Sequence, residues 1–373
     1  MAAGTDQRLV AGRDSVLNDQ HGSLTQDGSR ALWRNVGTRN SNGRLTEAAY
    51  HRVMRIVLAG LALGTMLVGF DAAAVPSAKS GGDAFPGRNG ELVFAVTNRS
   101  SYYPELYLMH SDGTGLRRIT SRGAYSPAWS PDGKWIAFAS NRSRPRHENA
   151  SEIYVMRAKG TALRRVTRNR FVDFQPAWAP DGKRLVFQSS NASGSGIAVI
   201  NVNGTGFRRL TDDSEAVPAW SPDGTTIAYG RSTGPSGAGI WLMNPDGTNR
   251  RQLTFPPQHP EEGASDGVDY SPEWSPDGGQ IAFTRWYRGR NDIYAVRADG
   301  TGLRRLTNTN KVGQHYEPTW SPNGRRIVFI TALKALFERR VIDVMNADGT
   351  QQRRLITGRG GYVSPDWQPL PRR

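Results

Sequence analysis

The sequence predicts an all-β protein: a six-bladed β-propeller of four-stranded antiparallel blades, closed by pairing of the C-terminal strand with the first blade. Three observations predict it. The motif Pro-x-Trp recurs at Pro127-Trp129, Pro176-Trp178, Pro218-Trp220, Pro272-Trp274, Pro318-Trp320 and Pro365-Trp367, with Trp-to-Trp spacings of 42 to 54 residues. A second phrase, first seen as "ELYLMHSDGTGLRRIT" (105–120), also occurs six times. The 42 Gly and 22 Pro of the 373-residue chain favour many turns between short strands. Repeats of roughly 40 to 50 residues with four strands each are the mark of propeller blades.

Each unit reads in the same order. The Pro-x-Trp strand comes first. A tight turn follows the first five copies: Ser130-Pro131-Asp132-Gly133, Ala179-Pro180-Asp181-Gly182, Ser221-Pro222-Asp223-Gly224, Ser275-Pro276-Asp277-Gly278 and Ser321-Pro322-Asn323-Gly324. Pro presets φ at the first corner, and Asp or Asn then Gly tolerate the left-handed one. Second strands follow at Trp135–Ala139, Leu185–Gln188, Thr226–Tyr229, Gln280–Thr284 and Arg326–Ile330. Third strands such as "EIYVM" end in an Asp-Gly-Thr type turn, and a fourth strand carries an Arg pair. The first unit, "PGRNGELVFAV" (86–96), lacks a Pro-x-Trp strand, whereas the last, "SPDWQP" (364–369), is such a strand with nothing after it. Each end lacks what the other has, so the last strand should complete the first blade.

The W-S-P-D-G turn, followed by I-A-F and then by I-Y-x-M-x-x-D-G, resembles the WD40-like repeat of the TolB family. The resemblance covers about residues 86–369. It implies a six-bladed propeller, usually exported, that serves as a binding platform.

The rest of the chain organises around that propeller (86–369). Arg52 and Arg55 precede an uncharged, mostly apolar run from Ile56 to Phe70, with Ala72-Ala73-Ala74 behind it. A basic start, a short apolar stretch and small residues at the end describe a secretory signal over residues 54–74. The run of 56–70 is short for a spanning helix, which takes about 20 residues; left uncleaved, it would act as a membrane anchor. Residues 1–53 are polar, without sustained period, and read as an unstructured extension or an artefact of start-site assignment ahead of Met54. Residues 75–85 form a linker. The chain has no Cys, which excludes disulfides, thiol nucleophiles and thiolate metal sites.

The formal net charge is +15, so the location of the Arg matters. The pairs Arg117-Arg118, Arg164-Arg165, Arg208-Arg209, Arg250-Arg251, Arg304-Arg305 and Arg353-Arg354 fall on the expected outer strand, where charge blocks edge-to-edge pairing. A ring of Arg lacks the aromatic-interleaved stripe of a nucleic-acid groove, so no specific nucleic acid is expected.

Strand parity selects the functional end. The 1–2 and 3–4 turns, nearly identical in every blade, share one end of the propeller. The 2–3 and 4–1 connections share the other: 141–151, 255–271, 285–291 and 331–340, all different in chemistry. Variable loops on a rigid scaffold are where binding resides. At that end Tyr125, Phe174, Tyr270 and Tyr316 stand two residues before the Pro, and Asp173, Glu215, Asp269, His315 and Tyr362 one residue earlier. If the Pro-x-Trp strand is innermost, these positions ring the channel mouth and could form a pocket for a peptide, a sugar or a cation. The same aromatics could instead pack between blades, with the acids paired to Arg. Gly263 to Gly267 matches G-x-S-x-G by chance, since that motif needs a strand-to-helix elbow.

The expected function is therefore an exported, non-enzymatic propeller, monomeric and without cofactor or metal, that binds a protein or cell-envelope component through its loop-bearing end. The alternative is a carbohydrate lyase or hydrolase using the channel-mouth carboxylates and His315. Convergence of Asp173, Asp269 and His315 on one open pocket would favour it, because acid–base work needs groups within hydrogen-bond reach of a substrate.

Overall fold

The computed structural model describes residues 85–97, 104–144, 150–191, 194–212, 215–231, 238–257, 267–309, 313–333, 340–356 and 361–371. The extension, the signal segment and most of the linker (residues 1–84) lie outside them, as do His147, His259 and residues 263–266 of the G-x-S-x-G match.

The described residues form six four-stranded antiparallel sheets. The first blade holds β1 (Arg88–Thr97), β2 (Glu105–Met109) and β3 (Arg117–Arg118), and the second β4 (Tyr125–Trp129), β5 (Trp135–Ser140), β6 (Glu152–Arg157) and β7 (Arg164–Arg165). The third comprises β8 (Val172–Trp178), β9 (Arg184–Asn191), β10 (Gly194–Asn201) and β11 (Arg208–Arg209). The fourth comprises β12 (Glu215–Trp220), β13 (Ile227–Arg231), β14 (Gly239–Met243) and β15 (Arg251–Gln252). In the fifth are β16 (Gly267–Trp274), β17 (Gln280–Tyr287), β18 (Arg290–Arg297) and β19 (Arg304–Arg305). The sixth has β20 (Gly313–Trp320), β21 (Arg326–Leu333), β22 (Arg340–Asn346) and β23 (Arg353–Ile356). Finally β24 (Gly361–Leu370) pairs antiparallel with β1, with Leu92 opposite Trp367 and Thr97 opposite Gly361.

The six Pro-x-Trp strands touch one another in sequence order, and β24 touches both β20 and β4. They are the innermost strands, and the ring is closed. The Asp366 carboxylate reinforces the closure by accepting the Trp129 backbone N–H at 2.6 Å. Gln368 donates to the Gly133 carbonyl at 2.8 Å, so the last strand holds the second blade as well as the first. Gly133 has φ +65°, and a Cβ there would strike the Pro369 carbonyl.

The core is divided into six clusters, one per interface between blades, each built around one repeat Trp. Trp129, for example, packs with Ile136 and Phe138 against Val93 and Leu106 of the first blade. On the opposite face of the same sheet, Ala128 and Ala137 pack against Trp178 of the third. Alternating side chains thus serve two interfaces, as a sheet buried on both faces requires.

Side chains lock the repeated turns. Ser130 Oγ donates to Asp132 Oδ1 and accepts the Trp135 N–H, and Ser221, Ser275 and Ser321 do the same in their blades. In the phrase that ends each repeat, Arg-Arg-x-Thr in four copies and Arg-Gln-Leu-Thr at 251–254, the hydroxyls of Thr120, Thr167, Thr211, Thr254 and Thr307 each accept a third-strand backbone N–H. This supplies an acceptor where the two-residue fourth strand has run out of carbonyls.

Two expectations need correction. Arg250-Arg251 is not an outer-strand pair: the strand is Arg251–Gln252, with Leu242 opposite Arg251 as Leu108 is opposite Arg117. Arg250 falls one residue earlier, at the position of exposed Leu116, because this repeat reads T-N-R-R-Q-L-T. The second correction concerns 285–291, which is not a long loop. Strand β17 continues to Tyr287, β18 begins at Arg290, and Arg288 (φ +49°) and Gly289 (φ +74°) make a two-residue turn. Two left-handed residues match the twist of a tight hairpin.

Candidate functional site

The inner strand enters the channel mouth through a backbone irregularity found in every blade. The residue before each Pro is left-handed: Ser126, Gln175, Val217, Ser271, Glu317 and Ser364 have φ between 52° and 56°. The pairing of each inner strand with its neighbour shifts register at the same point. A bulge bends its strand and re-aims the side chains on either side. Here six bulges turn the strand ends at the level of the candidate residues. The left-handed backbone is costly for non-glycine residues, most of all for a β-branched one such as Val217. At two of the six a neighbouring blade offsets the cost: the Glu317 N–H donates to Thr284 Oγ1 at 3.1 Å, and the Ser364 N–H to Glu317 Oε2 at 2.7 Å.

Beyond the bulge, the register three residues before the Pro lies directly opposite a fixed position of the second strand. Asp173 faces Ser189, Glu215 faces Arg231, Asp269 faces Arg285, His315 faces Thr331 and Tyr362 faces Val96. Side chains directly opposite on one face of an antiparallel pair meet. Asp269 accordingly forms a bidentate ion pair with Arg285 at 2.6 and 2.7 Å, both side chains buried, and also accepts from Thr254. Asp173, with no exposed surface, accepts from Ser189 Oγ at 2.6 Å and Asn169 Nδ2 at 2.8 Å. Burial pushes its carboxyl up to about 6, the hydrogen bonds opposing that rise. His315 Nδ1 lies 3.2 Å from Thr331 Oγ1, whose one proton goes to Asp343 at 2.6 Å. Nδ1 is therefore the donor, and burial lowers the pKa of this imidazole.

Each of these three groups is thus committed to partners around its own strand, and Asp269 also to Thr254 at the end of the fourth blade. Among the described residues no group of three His, Asp or Glu could hold a metal ion.

The aromatic row divides. Tyr125 and Phe174, half-buried, pack against the clusters between blades, and Tyr316 and Tyr362 share the cluster between the sixth and first blades. Tyr362 meets Phe94 edge-on at 5.8 Å. Tyr270 and Tyr316 are brought together by two residues that the repeat alignment did not single out. Tyr270 donates to Asn291 Oδ1 at 2.5 Å, Asn291 donates to Gln314 Oε1 at 2.5 Å, and Tyr316 donates to the same oxygen at 3.1 Å. Burial raises both phenols, Tyr316 to about 12 and Tyr270 well above its usual value, so both are hydrogen-bond donors at neutral pH. Asn291 and Gln314 stand at the loop ends of β18 and β20, between Arg290 and Asp292 and between Gly313 and His315, so no local pattern in the sequence marks them.

The outer Arg are largely structural. Arg118, Arg165, Arg305 and Arg354 each pair with a third-strand acid: Glu105, Glu152, Asp292 and Asp343.

A family model described as TolB beta propeller domain matches residues 144–262 and 258–370. Among solved structures, TolB from Acinetobacter baumannii is similar with a TM-score of 0.63 at 22% identity, over 75% of this chain and 67% of that one. A protein described as TolB from Agrobacterium tumefaciens gives 0.56 at 21% identity, over 76% of this chain and 99% of its own. An oligogalacturonate lyase in complex with manganese gives 0.50 at 14% identity, over 73% and 75%. No curated protein sequence matches the chain. At these identities the solved structures show the fold, whereas the family model spans well over half of the sequence. By its repeats, its closed ring of six blades and that match, the chain belongs to the TolB β-propeller domain family.

Proposed function

We propose that the chain is an exported, non-enzymatic binding scaffold that recognises a protein or cell-envelope component through its loop-bearing end and channel mouth. The observation that carries this reading is the difference between the two ends. One end repeats the same locked turns blade after blade, whereas the other joins a row of aromatics to connections that differ in every blade. Membership of the TolB propeller family supports a binding role. In this reading translation starts at Met54, residues 54–74 direct export, and cleavage falls near Ala74. The enzymatic alternative is disfavoured because Asp269 and Asp173 are fully buried and held by residues opposite them.

The test is capture of partners from the organism's envelope fraction by the full chain at low and at physiological salt. Beside it runs a Tyr125→Ala, Phe174→Ala, Tyr316→Ala variant whose thermal melt confirms folding. A partner held at both salts by the unsubstituted protein and lost by the variant supports the channel mouth. Capture that fades with salt and ignores the substitutions would assign binding to the outer Arg and sink the reading, since exposed charge contacts are screened. Intact mass of the secreted protein checks the cleavage site; a species retaining Met1 would refute the export scheme.

A further inference from the structure

The end that carries the repeated turns is uneven in charge. Around the 1–2 and 3–4 turns the first, fourth and fifth blades each hold as many acids as cations; in the first, Glu91 and Asp112 stand against Arg88 and Arg117. The second blade instead presents Lys134, Arg157, Lys159 and Arg164 against Asp132, and the third Lys183, Arg184 and Arg208 against Asp181. The sixth has a smaller surplus, built from Arg alone. All three lysines among the described residues stand in the second and third blades, exposed. Lys134 pairs with Asp132 at 3.6 Å, whereas Arg157, Lys159 and Arg164 have no acid partner among the described residues. The internal connections outside the described residues all join strands two and three or four and one, at the opposite end. Residues 1–84, which lead in here, carry nine Lys or Arg against seven acids, so neither group offsets the surplus.

Two local departures separate this surplus from the needs of the repeat. In the 3–4 turns of five blades, Asp112, Asn203, Asp246, Asp299 and Asp348 each accept the N–H and the hydroxyl of the Thr two residues on. Lys159 holds that position in the second blade and has no acceptor to offer, so this turn gives up a lock for a cation. A local rule broken without a structural gain points to function. The other departure is Trp135. Elsewhere its position, directly before the buried part of the second strand, holds Glu91, Arg184, Thr226, Gln280 or Arg326. The indole is half-buried, with the Arg157 and Arg164 guanidiniums 5.0 and 5.5 Å from its ring centroid. The surface is continuous. The Ala158 N–H donates to the Lys134 carbonyl at 3.0 Å, joining the two turns of the second blade. A Cβ on Gly204, in the 3–4 turn of the third blade, would stand 3.0 Å from the Val166 carbonyl of the second.

Cations grouped around a Trp fit the surface of a bilayer, where an indole sits at headgroup level and each basic side chain is attracted by anionic lipid. The path of the chain favours the same occupant. The Gly87 N–H donates to the Pro322 carbonyl, in the 1–2 turn of the sixth blade, at 3.0 Å. The chain therefore enters the propeller at the turn-bearing end, and the apolar run of residues 56–70 ends 15 residues before Phe85. We propose that the turn-bearing end of the second and third blades docks on a bilayer rich in anionic phospholipid, which leaves the loop-bearing end turned towards its partner. The surface uses none of Tyr125, Phe174 or Tyr316, so it stands independently of the channel-mouth reading.

The test is flotation of the full chain with vesicles of phosphatidylcholine alone and of phosphatidylcholine and phosphatidylglycerol in equal parts, at low and at high salt. The zwitterionic vesicles measure what the apolar run contributes, and the gain on adding phosphatidylglycerol reads the charge. A Lys134→Glu, Lys159→Glu, Lys183→Glu variant runs beside an Arg122→Glu, Arg168→Glu, Arg170→Glu variant, which changes the net charge equally at exposed positions of the opposite end. Thermal melts confirm that both fold. Phosphatidylglycerol should tighten binding of the unsubstituted protein at least about tenfold, and high salt should remove that gain. The lysine variant should lose the gain and the loop-end variant should keep it. The Tyr125→Ala, Phe174→Ala, Tyr316→Ala variant should also keep it, which separates failure here from failure of the channel mouth. Three results would overturn the proposal. They are no gain from phosphatidylglycerol, an equal loss in the lysine and loop-end variants, or lysine-dependent binding of dextran sulfate in place of vesicles, which would assign the surface to a soluble polyanion.

Discussion

Replacing Asp173 by asparagine should stabilise the protein at pH 8 and weaken it at pH 4. The carboxyl is completely buried, and burial pushes it up to about 6 from an ordinary 3.8. The folded chain therefore holds this proton more tightly than the unfolded chain does. The stability that comes from it is fully present below pH 3.8 and is lost as pH rises through about 6. By pH 8 the folded state bears about 3 kcal/mol for keeping the group ionised, at 1.36 kcal/mol per pH unit. Asparagine removes that charge but keeps only one acceptor oxygen for two donors, Ser189 and Asn169, which costs about 1 kcal/mol. The variant should then be about 2 kcal/mol more stable at pH 8 and about 0.5 kcal/mol less stable at pH 4. For a domain of this size that is a rise in Tm of roughly 4 °C at pH 8. Thermal melts of both proteins across pH 4–8, followed by circular dichroism, measure it. A Tm difference that does not change with pH, or a variant weakest at pH 8, would refute the reasoning.

Two further outcomes follow from the same geometry. Truncation after residue 360 removes β24, and with it Trp367 and the Asp366 bond to the second blade; the melt should lose its single cooperative step, and a peptide of residues 361–371 added in trans should restore it, because an opened β1 edge is a template for that strand. Failure of both would mean that the ring does not depend on its closing strand. Asp269→Ala leaves the Arg285 guanidinium buried without its carboxylate and should cost about 3–5 kcal/mol. Asp269→Ala combined with Arg285→Met should cost less than Asp269→Ala alone in denaturant titrations, and equal costs would show that the pair carries no coupling.

The fold was legible because the repeat states its own geometry. Ser-Pro-Asp-Gly and Asp-Gly-Thr are local devices whose side chains bond within a few residues, so their conformation needs no partner. The Trp of each Pro-x-Trp was legible as core for the same reason of recurrence. Strand ends were less so. The Tyr287-Arg288-Gly289-Arg290 hairpin has a polar, charged sequence typical of loops, and only pairing with its own neighbour shows that the ladder runs to the tip. The partners of Asp173, Asp269 and His315 were readable in principle. With the bulge known, counting along the hairpin from the shared turn puts Ser189, Arg285 and Thr331 opposite them, and period-two alternation puts them on the same face.

The sequence by itself thus determined the number of blades, the strand order, the closure and the identity of the buried Trp, because each depends on turn chemistry and alternation over a few residues. Only the tertiary structure decided which way the channel-mouth side chains turn. A non-glycine residue before Pro has no local reason to adopt φ near +53°. At two of the six an acceptor on the neighbouring blade meets the backbone N–H there, Thr284 for Glu317 and Glu317 for Ser364. That arrangement comes into being when the ring closes.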